Sequence, residues 1–521
     1  MHYHNVPQQS YAHPLTRIST LVSTEIETQT ETSTVFLDAS PAPTSVDTPP
    51  PLALNHELPL TSIISHAPGW TLFRNLYMSN GTLYILSSNR SFPEIRLMTS
   101  TGLPAQNTPE NIAAREPTTQ NMDFITPEQA RDRWGAGEKH RVLSVEGNTA
   151  SPPSNSIDSL TYNTIQLLFN DPSQFLRHYY HFVAELFLGT WAFWHGAFST
   201  PSSNPTSAFG LTHPPPPPIH RAIFAHSNAD GWRDDPGFNA YFLRAAFPSL
   251  TVEVQEDWAD RIAVTTPAHP NKEKEKDRAW HFPLVLLADR SAAHRGAVCG
   301  SQTQRTASEA WEAMRRADQL MGHRVGGWWE PLRKAVWEFA GVPRGVVTGD
   351  SMPALAMPEK VVITYISRQG VSRRKLKGKD HEGLVAALEA LVARKGDGWE
   401  LVVLQAEKLT KDEQVRAAAR TTILLGVHGN GLTHLVFMKP TRASAVIELF
   451  YPGGFAHDYH WTSRALGMDH YAVWDDKSYT YPDEPPVNYP EPGFQGNEIP
   501  VSGPAVARLI EEHVERKRTA V

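Results

Sequence analysis

The sequence predicts an α/β protein of two domains, the second built on a parallel sheet wrapped in helices. Three observations predict it. The chain has 521 residues, more than one ordinary hydrophobic core organises. Residues 361–450 alternate strand-like and helix-like patterns in a β-α-β-α-β-α-β order, which implies right-handed crossovers between parallel strands. Within that run Thr421–Pro440 (TTILLGVHGNGLTHLVFMKP) reads as a buried strand, a glycine turn and an apolar helix start over Leu432–Met438. Such a turn points free backbone N–H groups and the positive end of a helix at one spot, which favours an anion and above all a phosphate.

The elements follow in order. Residues 1–55 are rich in Ser, Thr and Pro, bury too little to offset ordering entropy, and are expected to be a disordered tail. The first domain is expected over 56–345. It opens with an alternating stretch from Gly69 centred on Asn80-Gly81, a hairpin signal. Residues 100–160 are polar and read as loops. Phe175–Phe198 reads as one long helix, apolar on nearly all sides and therefore buried. Pro214–Pro218 reads as a polyproline surface excursion. Arg221–Ala225 and Leu250–Val254 read as short strands around a helix at Phe238–Phe247, and Asn271–Arg278 (NKEKEKDR) as a solvated charge run. Residues 306–340 hold two helical pieces broken at Gly326-Gly327.

The second domain is expected over 346–485. Val361–Ser367 is a strand. Leu384, Leu388, Leu391 and Val392 mark the buried stripe of a helix ending near Gly396. Trp399–Gln405 is a strand, and Thr410 with Glu413 forms a capping-box pattern opening a helix to Ala419. After the strand–turn–helix comes a strand at Ala445–Phe450 (AVIELF). Residues 486–521 form a tail whose amphipathic helix, Ala505–Lys517, is expected to cross back onto the first domain.

Composition narrows the function. A net charge of −7 offers no global basic field for nucleic acid. The single cysteine, Cys299, allows no internal disulfide and no cysteine-based zinc site. No run approaches the ~20 apolar residues of a membrane span, and the N-terminus shows neither the basic nor the apolar region of a signal peptide. There is no Asp-x-Asp to hold a divalent ion, which favours neutralising phosphates with Arg, His and helix N-termini, and there is no G-x-S-x-G and no P-loop, so hydrolase and kinase readings lack a motif.

Ligands of open α/β sheets bind beyond the carboxyl ends of the strands. Arg368, His428 and Glu448 all fall there. Arg368 and Arg373 follow the Val361–Ser367 strand and suit a diphosphate, because guanidinium groups pair with phosphate oxygens in a bidentate way. Arg374 and Lys375 read as a solvated basic loop. His428, Gly429, Asn430 and Gly431 form the turn. Thr433 adds a hydroxyl donor on the first helical turn, while His434 reads as facing solvent or packing locally. Glu448, a carboxylate among apolar neighbours, either holds a ribose diol or meets an arginine. His181 and Glu185 share one helix face and read either as a general-base pair or as a structural hydrogen bond.

These residues resemble a known family. HGNGLTHLVFMKP followed by AVIELFYP is similar to the hallmark of family 61 glycosyltransferases, usually H-G-A-G-L-T-N with a later V-I-E-L strand. ITYISRQGVSRRKL resembles the same family's strand-Arg-x-x-x-x-Arg element, and HYYHFVAEL its H-F-x-x-D/E helix. The resemblance implies a GT-B-like fold, two facing Rossmann-like domains with a donor cleft between them. It implies an inverting, metal-independent glycosyltransferase moving a sugar from a UDP-sugar donor to a glycan or glycoprotein acceptor hydroxyl, with no cofactor beyond that co-substrate. Carried over by position, Arg368 and Arg373 hold the diphosphate, His428, Gly429, Asn430, Gly431 and Thr433 form the phosphate turn, Glu448 holds the ribose, and Glu185 with His181 is the base. The family's setting implies the Golgi lumen or secretory pathway, whereas the missing anchor pattern leaves the cytoplasm open. Asn430 and His434 depart from the usual Ala and Asn, and Glu185 stands where Asp is frequent. These departures keep a second reading in view, a non-catalytic sugar-nucleotide or glycan-binding scaffold.

Overall fold

The computed structural model describes residues 58–106, 108–136, 141–145, 165–201, 211–212, 216–266, 277–294, 306–320, 325–343, 355–491 and 493–519. The expected N-terminal tail, Pro214 and Pro215, most of the Asn271–Arg278 run and the boundary expected near residue 345 lie outside them. All described elements fall in one unit, Pro50–Val521.

Two parallel-rich sheets organise the chain. The first uses β1 (Ser62–Ala67), β2 (Trp70–Ser79), β3 (Thr82–Leu86), β4 (Met122–Ile125), β5 (Val142–Ser144) and β6 (Gln166–Pro172). A small separate pair, β7 (Thr200–Pro201) and β8 (Leu211–Thr212), precedes its last strands, β9 (Arg221–His226), β10 (Thr251–Glu253) and β11 (Ala279–Ala288). The order is β10-β9-β6-β11-β2-β3-β4, with β1 beside β2 and β5 beside β11. Strands β10, β9, β6 and β11 run parallel, while β2 is antiparallel to β11 and β3. The β2–β3 turn is the expected Asn80-Gly81, with both φ angles positive at 51° and 81°, as a two-residue turn matching strand twist requires. Residues 100–160 hold more structure than their polarity suggested. Helices Pro109–Ala114 and Pro127–Trp134 are each opened by a capping threonine, Thr108 and Thr126.

The second sheet contains β12 (Val361–Ile366), β13 (Trp399–Leu404), β14 (Ile423–Val427), β15 (Ala445–Leu449), β16 (Asp469–Trp474) and β17 (Lys477–Tyr479). Its order is β13-β12-β14-β15-β16-β17, parallel except for β17. The chain winds from β12 outward to β13, then returns to β14 and proceeds the other way. The direction of winding therefore reverses between β12 and β14, and a ligand crevice in a doubly wound sheet forms at such a reversal, beyond the carboxyl ends.

One face of the second sheet is covered by the helices Gly378–Lys395 and Gly503–Thr519. The C-terminal helix thus packs on the second sheet rather than crossing back onto the first domain. Its buried stripe, Val506, Ile510 and Val514, joins the core of Ile363, Ile423, Ile447 and Leu388. Arg394 and Lys395 pair with Glu511, and Gly503 lies so close to the Gly383 carbonyl that no Cβ would fit.

The opposite face shares one apolar core with the first sheet, containing Leu72, Phe169 and Leu286 together with Ile366, Leu424 and Val446. The segment expected as a single helix over Phe175–Phe198 lies in that core as three pieces: a short turn at Ser173–Leu176, a π-helix at Tyr180–Phe187 and an α-helix at Leu188–Ala197. The π-helix leaves carbonyls for side chains. Arg290 donates to the His181 carbonyl at 2.8 Å, and Thr462 to that of Ala184 at 3.1 Å. The helix expected at Leu432–Met438 is instead a 3₁₀ helix, Asn430–Phe437. Its last carbonyls accept hydrogen bonds from Trp329, Arg333 and Trp337, which favours a tight short turn over continued α-helix.

Gly326, with φ of 76°, caps the 3₁₀ turn Gly327–Trp329 that leads into the helix Glu330–Phe339, and a Cβ there would stand 2.6 Å from the Leu466 carbonyl oxygen. Gly326→Ala should therefore lower the free energy of unfolding by about 1–3 kcal/mol or more, read from urea denaturation. An unchanged midpoint would show that this contact yields freely.

Candidate active site

The segment after β12 and the turn after β14 meet at the winding reversal. Gly429 has φ of 151°, and a Cβ there would lie 3.2 Å from Arg368 Nη1 and 3.4 Å from Arg374 Nη1. Glycine is what lets two guanidinium groups close on this backbone. Arg374 itself holds φ of 57°, a strained value for a non-glycine residue. It is fixed there by Gln495 Oε1, which accepts from its Nε at 2.8 Å, and by the His428 carbonyl, which accepts from Nη1 at 3.4 Å.

Among the described residues neither Arg368 nor Arg374 has a carboxylate within ion-pair distance, and Arg368 Nε is buried with no hydrogen-bond partner. Burial holds both guanidinium pKa values below the usual arginine range, with Arg373 adding repulsion on Arg368, and Arg368 and Arg373 on Arg374. Two crowded cations without a counter-charge are costly unless an anion joins them. The sequence reading favoured Arg373 and set Arg374 aside as solvated. In the structure Arg374 stands at the turn, whereas Arg373 has an exposed side chain and offers its carbonyl to Arg368 Nη2 at 3.5 Å. The positive φ at Arg374 reverses which side chain turns inward, and nothing in the run SRRKL signals it.

His428 and Glu448 also meet. Gly426 pairs with Glu448 across β14 and β15, so His428, two residues on, reaches over the carboxylate. Its Nδ1 lies 2.5 Å from Glu448 Oε1, and His470 Nε2 lies 2.8 Å from Oε2. Glu448 has no exposed surface, so the carboxylate expected at a ribose spends both oxygens on imidazoles instead. The His428 ring stacks on Phe450 at 5.3 Å. Thr433 is buried, with its hydroxyl beside the Tyr459 phenol. Asn430 keeps a buried Oδ1 without a partner, and a Cβ at Gly431 would stand only 3.0 Å from Ile366 Cγ2.

The first sheet contributes a matching pair. His181 Nδ1 lies 2.7 Å from Glu185 Oε2, and Arg290 Nη1 donates to Glu185 Oε1 at 3.2 Å. Arg290 in turn donates from Nε to Asp171 Oδ1 at 3.0 Å. Glu185 and Arg290 are wholly buried, whereas the His181 side chain keeps 21% of its surface. His181 is therefore the member of the pair that a second molecule reaches. His178, one turn earlier, is exposed with its ring 4.7 Å from that of His181.

Electrostatics place both halves within reach of one another. His178 feels Arg374, and His428 feels His178. Asp458, at the start of the helix Asp458–Ala465, feels His181, Glu185 and Arg374. Burial raises the Asp458 carboxyl to about 6, with Glu185 adding repulsion. His178, Arg374, Asp458 and His470 are the site groups that sequence reasoning missed. The two histidines carried a faint signal, the first in HYYH and the second at the start of the apolar stretch of DHYAVW. His434, expected in solvent or in local packing, is buried between Tyr179 and Gln414 at 3.1 and 2.9 Å, and burial lowers it to about 4. A cavity of about 270 Å³ lined by Asn170, His226 and Trp258 is separate from these groups. Among the described residues no cluster of His, Cys, Asp or Glu is arranged to hold a metal, and no helix is long and apolar enough to cross a membrane.

An α/β architecture with two parallel-rich sheets, and arginines gathered at a winding reversal, defines a protein of the sugar-transferring class once the comparisons are added. The model of the glycosyltransferase 61 family matches residues 179–446, just over half of the chain, and the chain belongs to that family. It is also similar to the EGF domain-specific O-linked N-acetylglucosamine transferase of Drosophila melanogaster, 33% identical over 135 residues, 26% of this chain. The matched stretch spans 24% of that relative's length.

The Asp458 shift gives a pH prediction. Its carboxyl ionises less readily in the fold than unfolded, where the value is 3.8. Its contribution to stability is thus full below about pH 4 and is lost as pH rises through about 6. Asp458→Asn should match the parent near pH 4 and exceed it by about 1–3 kcal/mol near pH 7, measured by urea unfolding. A gap that stays constant with pH would contradict it.

Proposed function

We propose that this protein is an inverting, GT-B-type glycosyltransferase that moves a sugar from a nucleotide diphosphate sugar, UDP-linked by family likeness, to a hydroxyl of a glycan or glycoprotein. The observation that carries this reading is the meeting of Arg368, Arg374 and the His428–Gly429 turn at the sheet's winding reversal, with the His181–Glu185 pair in electrostatic range. The donor diphosphate lies against the two guanidiniums and supplies the counter-charge they lack.

His181 acts as general base. Glu185 holds its Nδ1 side, so Nε2 is the nitrogen left for the acceptor hydroxyl. The acceptor oxygen forms a bond to the anomeric carbon while the bond from that carbon to the diphosphate breaks on the opposite side. The electron pair leaves with the diphosphate, and the hydroxyl proton passes to His181. Arg368 and Arg374 stabilise the charge growing on the leaving oxygen without help from a metal ion. Glu185 is a positioning residue, with Arg290 and Asp171 behind it. Glu448 is assigned here to His428 rather than to ribose. Family likeness points to the secretory pathway as the setting.

Kinetics with UDP-sugars test the assignment. His181→Ala should lower kcat about 10²–10⁴-fold with the UDP dissociation constant little changed. Arg374→Ala should weaken UDP binding about tenfold or more, and Arg373→Ala should cost less. Full turnover in His181→Ala would remove that residue from the chemistry, and UDP binding unaffected by Arg374→Ala would remove the diphosphate from the turn.

A further inference from the structure

His470 comes from a strand that no site motif reaches. On β16 it pairs with Val446 of β15, one side-chain step behind Glu448 on the same face. His428, Glu448 and His470 thus cross three adjacent strands as an imidazole–carboxyl–imidazole line, with 8%, 0% and 3% of their surfaces exposed. No arginine or lysine lies within ion-pair distance of Glu448 among the described residues.

The line has a direction. His470 Nδ1 is buried and has no hydrogen-bond partner. A bare ring nitrogen is tolerated there better than an orphaned N–H, so the His470 proton sits on Nε2 and is donated to Glu448 Oε2. Oε1 is left to face His428 Nδ1. A buried carboxyl without a cation keeps a proton, and the O–H at Oε1 then donates to Nδ1. His428 consequently bears its own proton on Nε2, at the ring edge that makes no hydrogen bond among the described residues.

We propose that His470 is a positioning residue which, acting through Glu448, fixes His428 as a neutral imidazole with its N–H on Nε2, so that His428 donates a hydrogen bond to an anionic oxygen of a nucleoside diphosphate. The diphosphate part rests on the function proposed above, and the tautomer does not. The groups around the ring are Arg368 and Arg374 after β12, Asp458 and Tyr459 on the following helix, His178 from the first half, and His470. Burial pushes Glu448 well above the ordinary carboxyl value, and burial with the two arginines holds His428 well below the ordinary imidazole value. Both directions agree with a carboxyl that is protonated beside an imidazole that is neutral. An Nε2 lone pair would repel phosphate, whereas an Nε2–H binds it without adding a charge to the crowded arginines.

Long-range ¹H–¹⁵N spectra of the histidine-labelled protein test this, with His428→Gln assigning the ring, alongside UDP titration calorimetry. The parent should show His428 protonated on Nε2. His470→Phe should disturb that tautomer and weaken UDP binding about tenfold, the worth of one hydrogen bond to a charged group. His470→Gln, whose amide can still donate to Oε2, should retain both, with melting curves confirming that each variant is folded. A parent His428 protonated on Nδ1 would overturn the inference, as would a folded His470→Phe with tautomer and UDP affinity unchanged. Should His470→Phe fail to fold, the parent tautomer still decides. An Nε2–H tautomer in a protein that binds no UDP would support the relay and overturn the diphosphate reading.

Discussion

Among the described residues a buried glutamate faces the Nδ1 of a histidine at two places, and the site depends on both. Glu185 faces His181 and Glu448 faces His428, at 2.7 and 2.5 Å. In each case the carboxyl is hidden and the imidazole is the part nearer the surface. A carboxyl behind one ring nitrogen decides which nitrogen meets a substrate. The two pairs differ in what stands behind them. Glu185 is backed by the Arg290–Asp171 ion pair, an anionic surplus that suits a proton acceptor. Glu448 is backed by a second imidazole, and two arginines stand in front of it. That setting suits a neutral hydrogen-bond donor to an anion.

The fold explains why these groups assemble. The winding reversal between β12 and β14 opens the sheet at its carboxyl edge, and Gly429 removes the one side chain that would keep Arg368 and Arg374 apart. The first half reaches the same place through the π-helix. Its freed carbonyls are tied by Arg290, just past the end of β11, and by Thr462 from the second half. Trp329, Arg333 and Trp337 bind the end of the 3₁₀ helix from the other side. Loosening any of these ties would move His181 relative to the arginine pair, so packing and chemistry are not separable here.

Much of the second sheet was legible in the sequence because its signals are local. Strands of β-branched residues, a capping box at Thr410 and glycine turns set the order from β12 to β15. Strand β16 was missed because DHYAVW opens on two polar residues, Asp469 and His470, and so lacks the continuous apolar run of its neighbours. The convergence of Arg368, the His428 turn and Glu448 was also legible, since all three lie at strand ends of one sheet. What the pattern could not carry was direction: a positive φ at Arg374 exchanges the inward and outward arginines of an adjacent pair. The partners of Glu448, His428 and His470, were not legible for a similar reason, because they meet it only through strand register. The placement of the C-terminal helix depended on which of two apolar faces lay uncovered, and its own pattern does not record that.

The central claim is that the unpaired arginines and the His428 turn receive a diphosphate opposite His181. A crystal structure of the protein soaked with UDP tests it most directly. The account predicts the two phosphates within hydrogen-bonding distance of the Arg368 and Arg374 guanidiniums and of His428 Nε2, with His181 across from the terminal phosphate. Nucleotide density elsewhere, for example in the cavity beside Asn170 and His226, would contradict it.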